Sequence, residues 1–146
     1  PAVVGTAGNE NCHVILRGGT SGPNADAVSV AGIVEKLAER TGTPRLMIDV
    51  SHANSGKDHV RQAEVARDVA KQIADGNHAI AGVMMESFLV AGAQDLDPAK
   101  LCSNGGEGLA YGQSVTDACM DIGTTADLLS ELAAAVRTRR AGQALD

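Results

Sequence analysis

The residue types best suited to chemistry are concentrated in residues 48–57, where a short apolar run gives way to polar side chains. The run carries one acid, Asp49, and leads into His52 and several small or charged groups, namely Ser51, Asn54, Ser55 and Lys57. An apolar run ended by polar residues and glycine is typical of a buried strand that enters a loop. Because parallel α/β folds carry their chemistry on loops at the carboxyl ends of strands, we expect a functional site here.

Two further predicted strands also end in polar residues, Arg17 after residues 12–16 and Glu86 after residues 80–85. If the strands are parallel, Arg17, His52 and Glu86 share one edge, and Asp117 can fold over it from a long connection. One imidazole with carboxylates suits Mn, Fe, Co or Zn and leaves coordination positions for substrate. The ordinary alternatives are that His52 is a hydrogen-bonded loop histidine and that Glu86 is a solvated strand end.

Arg17 and the two glycines after it, Gly18 and Gly19, resemble an anion-binding site. A guanidinium binds phosphate or carboxylate through two parallel hydrogen bonds, and glycine lets backbone N–H groups approach the anion. The alternative is a plain strand-to-helix turn in which glycine supplies a positive φ. The spacing matches neither a P-loop nor a dinucleotide fingerprint, so the residues alone leave both interpretations open.

Alternating elements position these groups. We predict strands at residues 12–16, 46–50 and 80–85 and helices at residues 25–41, 58–75 and from about residue 124, with Asp127 in the first turn of the last helix. Residues 86–123 are predicted to form a long connection. Strands that alternate with helices indicate an α/β fold with parallel strands and right-handed crossovers.

Composition narrows the class of protein. The chain has 146 residues, enough for one domain with a core, and its net charge of −6 argues against a nucleic-acid surface. No apolar run approaches the length of a membrane span. Three cysteines, Cys12, Cys102 and Cys119, are too few for a disulfide framework, and we expect Cys12 and Cys119 to be small buried side chains. We therefore expect a soluble, cytoplasmic protein.

Four segments of the chain resemble the type I 3-deoxy-D-arabino-heptulosonate 7-phosphate (DAHP) synthases. They are Cys-His-Val-Ile-Leu-Arg-Gly-Gly at 12–19, Met-Ile-Asp-Val-Ser-His-Ala-Asn-Ser at 47–55, Gly-Val-Met-Met-Glu-Ser at 82–87 and Leu-Ala-Tyr-Gly-Gln-Ser-Val-Thr-Asp-Ala-Cys at 109–119. They follow the order of the family and span nearly the whole chain. The resemblance implies the condensation of phosphoenolpyruvate with erythrose 4-phosphate, the first step of the shikimate pathway to aromatic amino acids.

The resemblance also implies a fold and a set of roles. The family fold is a (β/α)8 barrel, so residues 1–146 are expected to supply its last three β/α units, a partial domain without its N-terminal part. By the family pattern His52, Glu86 and Asp117 bind a divalent metal, Arg17 holds phosphoenolpyruvate, and His52 also takes part in catalysis and substrate contact. The fourth family ligand is a cysteine on the first barrel strand, outside this sequence. We expect the full-length protein to be a homo-oligomer.

Two other interpretations stand beside this one. The chain can be a non-catalytic product of a truncated gene, or a small α/β phosphate-binding module independent of the family. The 146-residue chain alone is expected not to catalyse the condensation, both if it is part of a DAHP synthase and if it is a truncated gene product.

Overall fold

A three-stranded parallel sheet forms the centre of the fold. The computed structural model describes residues 1–9, 11–99 and 108–143. The strands β1 (Val14–Leu16), β2 (Leu46–Asp49) and β3 (Ile80–Met84) lie in the order β1-β2-β3, with β2 parallel to both neighbours. The predicted α/β fold with parallel strands is confirmed, and all three carboxyl ends lie at the same edge of the sheet.

In the ranges that the structure describes, three helices connect and cover the strands: α1 (Ala27–Thr41), α2 (His59–Ala74) and α3 (Ile122–Gln143). Each follows an aspartate, Asp26, Asp58 or Asp121, whose carboxylate accepts hydrogen bonds from N–H groups of the first turn. Such caps satisfy donors that have no partner within the helix. The hydrogen bond from the Thr124 N–H contributes most to lowering the pKa of Asp121.

The core lies between the sheet and the helices and contains aliphatic side chains. Leu46, Ile48 and Val50 are fully buried, as are Val69 of α2 and Val30 of α1. Burial of branched aliphatic side chains contributes about 1.5–3 kcal/mol each. Both aromatic residues of the chain, Phe88 and Tyr111, are exposed, so close packing is achieved without an aromatic ring.

The boundaries of two predicted elements are wrong. Strand β1 begins at Val14, so Cys12 and His13 precede it and are exposed rather than buried or inside a strand. Helix α3 begins at Ile122 because Asp121 caps it, which puts Asp127 beyond the first turn. Cys119 is half-buried, and Cys102 lies outside the described residues.

The connection after β3 contains a second sheet that the sequence pattern did not predict. Strands β4 (Val90–Ala93) and β5 (Gln113–Ser114) are parallel and form a two-stranded sheet. Gly92 and Cys119 exchange both backbone hydrogen bonds, which draws the segment after β5 back along β4. This small sheet positions the segment that carries Asp117.

The two edges of the main sheet have no further strand paired to them within the described residues, and one apolar groove beside the sheet is accessible. Among the described strands, β1 and β3 each pair on one side only. An apolar groove of about 440 Å³ runs between β3 and α3, and its lining includes Ile80, Val83, Leu129, Leu132 and Val136. Over the described ranges, no helix combines the length and the hydropathy needed to cross a membrane.

Candidate metal centre

His52 follows β2 and is oriented by a buried carboxylate. Its Nδ1 lies 2.6 Å from Oδ2 of Asp49, and the other carboxylate oxygen, Oδ1, accepts hydrogen bonds from the Ser51 N–H and hydroxyl. Burial of Asp49 acts to raise its pKa, but hydrogen bonds from Ser51 and His52 outweigh it, so the pKa of Asp49 lies below its ordinary value. An ionised Asp49 favours the His52 tautomer that is protonated on Nδ1, which leaves Nε2 as a free donor atom for a metal.

The loop that carries His52 is tied to the neighbouring strand by Asn54. The buried Asn54 amide donates to the carbonyls of Leu16, at 3.1 Å, and Asp49, at 2.7 Å, and accepts from the Asn24 N–H. The Ala53 N–H donates to the Arg17 carbonyl. The carboxyl ends of β1 and β2 are therefore held together by side-chain and backbone hydrogen bonds beyond the strand ladder.

Glu86 follows β3 and is positioned through its backbone. The Gln62 side chain on α2, fully buried, accepts from the Glu86 N–H at 2.6 Å and donates to the Glu86 carbonyl at 3.2 Å. Glu86 Oε1 lies 3.6 Å from Nε2 of His52. Because the Gln62 amide binds both the N–H and the carbonyl of Glu86, the backbone of Glu86 is held in place, and its carboxylate lies close to His52.

Asp117 completes the cluster from the segment between β5 and α3. Both of its carboxylate oxygens lie 3.0 Å from Nζ of Lys57. Ligand atoms of His52, Glu86 and Asp117 all lie within 4.8 Å of one another. The predicted convergence of these three side chains is therefore seen in the structure.

The three groups fit a divalent cation. They offer one imidazole nitrogen and two carboxylate oxygens, a donor set that suits first-row transition metals. The side chains are partly exposed, at 23%, 29% and 39% for His52, Glu86 and Asp117, so further coordination positions face open space. Substrate or additional ligands can reach such a centre.

Arg17 lies at the end of β1 with its side chain exposed. Among the described residues its guanidinium makes no hydrogen bond or ion pair, so its five N–H donors are available to an anion. The backbone part of the predicted anion site is wrong: the Gly18 N–H donates to Asn24 and the Gly19 N–H to the Gly22 carbonyl. Gly18 has φ +74°, as the turn interpretation required.

Three residues of the site were not identified from the sequence. Asp49 was visible as an acid within an apolar run, which is a signal for a buried, paired carboxylate. Gln62 gave no signal, because its partner is the backbone of a residue on another element. Lys57 was recognised only as one of the charged groups after β2, whereas the structure pairs it with Asp117.

The fold and the site define the class of protein: an α/β protein whose parallel sheet carries a candidate metal centre of one histidine, one glutamate and one aspartate at the carboxyl ends of its strands. The chain belongs to the DAHP synthetase I family, whose model matches residues 2–130. This membership excludes the alternative of a module unrelated to the family.

Relatives and a solved structure agree with the family match. A phospho-2-dehydro-3-deoxyheptonate aldolase of Corynebacterium glutamicum is 71% identical over 140 residues, which cover 96% of this chain and 37% of the relative. The Phe-sensitive aldolase of Escherichia coli K12 is 50% identical over 95% of this chain and 37% of its own length. The Francisella tularensis aldolase structure superposes with a TM-score of 0.81 at 46% identity, over 94% of this chain and 38% of that one. The chain therefore spans little more than a third of the relatives it matches.

The close approach of Gly18 to the His52 loop leads to a test of stability. A Cβ at Gly18 would lie 2.7 Å from the Ala53 Cβ and 2.9 Å from its carbonyl carbon, at a positive φ. We expect Gly18→Ala to lower the free energy of unfolding by roughly 2–6 kcal/mol, since strain and overpacking each cost about 1–3 kcal/mol. Urea denaturation followed by far-UV circular dichroism measures this effect.

The protein for this and later tests is a chimera in which this chain replaces the matching 140-residue segment of the Corynebacterium glutamicum relative. Gly19→Ala is the matched control, because a Cβ there has no neighbour within 4 Å and the φ is ordinary. Equal stability of the two alanine variants would contradict the packing of Gly18 against Ala53.

Proposed function

We propose that this chain carries the metal-binding part of a DAHP synthase, which converts phosphoenolpyruvate, erythrose 4-phosphate and water into DAHP and phosphate. This reaction is the first step of the shikimate pathway. The observation that carries the proposal is the convergence of His52, Glu86 and Asp117, within 4.8 Å of one another, at the carboxyl edge of a parallel sheet. Family membership and the aldolase names of the relatives support the same reaction.

The fold proposed with this function is the last three β/α units of a (β/α)8 barrel, with residues 1–146 as one partial domain. Three parallel strands in sequential order, each followed by chain that crosses over the sheet, are the repeating unit of such a barrel. Barrel enzymes carry their sites at the carboxyl ends of the strands, which is the edge that carries His52 and Glu86.

His52, Glu86 and Asp117 are proposed to hold a divalent metal, Mn, Fe, Co or Zn. When bound, the metal would supply a Lewis acid that polarises the aldehyde oxygen of erythrose 4-phosphate. Asp49 keeps Nε2 of His52 available by holding the Nδ1 proton. The His52 side chain is 23% exposed, so substrate can reach the ring, which supports its proposed roles in substrate contact and catalysis.

Arg17 is proposed to bind phosphoenolpyruvate. In the reaction C3 of phosphoenolpyruvate attacks the aldehyde carbon, water adds at C2, and phosphate leaves by cleavage of the C–O bond. The guanidinium of Arg17, which has no partner among the described residues, can neutralise anionic charge on the substrate and orient C3 for attack. Its backbone is fixed beside the His52 loop by the hydrogen bond to Ala53, at 3.1 Å.

The proposed activity is tested by turnover of the chimera. With Mn²⁺ and both substrates we expect loss of phosphoenolpyruvate and release of one phosphate per DAHP formed, at a rate within about tenfold of the parent relative's. A chimera that folds like the parent relative but shows no turnover would favour the non-catalytic interpretation of this chain.

Arg17→Lys tests the substrate contact. Lysine keeps the charge but loses the planar fork of donors, so the change is not conservative at a bidentate anion site. We expect the KM of the chimera for phosphoenolpyruvate to rise by about tenfold or more, in line with the roughly 1.5–3 kcal/mol of a charged hydrogen bond, and the KM for erythrose 4-phosphate to change less. Arg45→Lys, at an exposed position at the opposite end of the sheet, is the control. An unchanged KM for phosphoenolpyruvate would refute this role for Arg17.

A further inference from the structure

Lys57 has an unusual backbone conformation. Its φ is +63°, and it is the sole residue other than glycine with a positive φ in the described part of the chain. A side chain with a Cβ pays of order 1–3 kcal/mol for such a conformation, and it persists where the surroundings impose it. Glycine would occupy this position more easily, so the lysine side chain is expected to have a role that offsets the strain.

The contact made by that side chain is symmetrical and exposed. Nζ of Lys57 lies 3.0 Å from each carboxylate oxygen of Asp117. The two side chains are 61% and 39% exposed, and ion pairs at that exposure contribute little to stability. The pair is therefore better explained by where it puts Asp117 than by how strongly it stabilises the fold.

Asp117 needs such a partner more than the other two proposed ligands do. His52 is oriented by the buried Asp49, and the backbone of Glu86 is held by the buried Gln62. Asp117 lies in the segment between β5 and α3, and among the described residues the hydrogen bonds to its carboxylate come from Lys57 alone. Without Lys57, the rotamer of Asp117 has no polar constraint from that part of the chain.

The lysine contact is compatible with metal binding. A carboxylate has two oxygens and about four lone-pair sites, so it can bind an ammonium group and a cation together. Within the described ranges Lys57 forms no ion pair with Glu86, and its side chain is 61% exposed. The lysine therefore reaches the carboxylate of Asp117 without being bound by the other acid of the cluster.

We propose that Lys57 is a positioning residue that fixes the carboxylate of Asp117 for divalent metal binding. This inference rests on the metal site given under the proposed function. It assigns to Lys57 a role in metal affinity that acts through Asp117, without direct contact with substrate or metal.

The experiment measures Mn²⁺ affinity of the metal-free chimera by isothermal titration calorimetry, without substrate. We expect Lys57→Met to weaken Mn²⁺ binding by about tenfold or more, the range found when partners of metal ligands are removed. Lys57→Arg keeps a cation within reach of Asp117 and is expected to recover most of the affinity. Lys57→Gly relieves the positive φ but removes the ammonium, so its affinity should fall as in Lys57→Met while its stability is equal to the parent's or higher.

Arg67→Met is the matched control, because it removes another exposed ion pair, with Glu131 on α3, away from the site. Its Mn²⁺ affinity is expected to equal that of the unsubstituted chimera. If that chimera binds Mn²⁺ and both Lys57→Met and Lys57→Gly bind within twofold of it, the positioning role is wrong and the metal site stands. If the unsubstituted chimera binds no Mn²⁺, the metal site itself fails, and the role of Lys57 fails with it.

Discussion

His52→Ala in the chimera is expected to abolish stoichiometric Mn²⁺ binding at micromolar metal and to reduce turnover to background. The substitution removes the sole nitrogen donor of the cluster within the described residues and leaves two carboxylates. Since loss of groups that merely orient a ligand costs 10–100-fold in affinity, loss of the ligand itself should cost more than about 100-fold. Metal content after desalting and the rate of phosphoenolpyruvate loss are the two measurements.

Asp117→Asn is a second variant that separates loss of metal from misfolding, because the side chain is partly exposed and asparagine keeps its shape. Like His52→Ala, it should lower both the metal content and the turnover rate, because it removes an anionic ligand. His78→Ala, at an exposed histidine after α2, is the control and should retain both. Stoichiometric Mn²⁺ and near-parental rates in both His52→Ala and Asp117→Asn would rule out this set of ligands.

The isolated chain of residues 1–146 is expected to show no turnover under conditions in which the chimera is active. Both outer strands of the main sheet pair on one side only within the described residues, and the groove between β3 and α3 leaves apolar side chains open. Unpaired strand edges and large apolar surfaces favour self-association. The family resemblance also implies a fourth metal ligand, a cysteine that this sequence does not contain.

Expression of the isolated chain, purification, and assay with Mn²⁺ and both substrates test this expectation. Size-exclusion chromatography of the same sample should show aggregates or self-associated species rather than a monomer. Turnover proportional to the concentration of the purified chain, and lost in His52→Ala, would show that the isolated chain is a catalyst and that the described surfaces do not prevent activity.

The main sheet and helices were predictable because each element has a local signal. β2 is a short apolar run that ends in polar residues, and α1 and α2 each start at an aspartate cap. The second sheet had no comparable signal: β5 has two residues, and its pairing with β4 joins segments distant in sequence. Short strands that are stabilised by non-local pairing are set by tertiary context rather than by their own composition.

The proposed ligands were also accessible from the sequence, because parallel strands bring the residues after them to one edge. Their supporting contacts were not. Gln62 binds the backbone of Glu86 across two elements, and Lys57 reaches Asp117 from a separate segment. The Gly18 N–H was one candidate donor to an anion, but the side chain of Asn24 already accepts from it. Contacts of this kind depend on distances between elements, which a linear pattern does not contain.

The aliphatic core has a practical consequence for spectroscopy. The chain has no tryptophan, and its single tyrosine, Tyr111, is 90% exposed in the segment leading to β5. Its intrinsic fluorescence is therefore insensitive to the packing between the sheet and the helices, and reports instead on the segment that leads toward Asp117. In this chain, far-UV ellipticity follows the secondary structure of the main sheet and helices, whereas tyrosine emission follows the part of the chain that leads toward the proposed metal ligand Asp117.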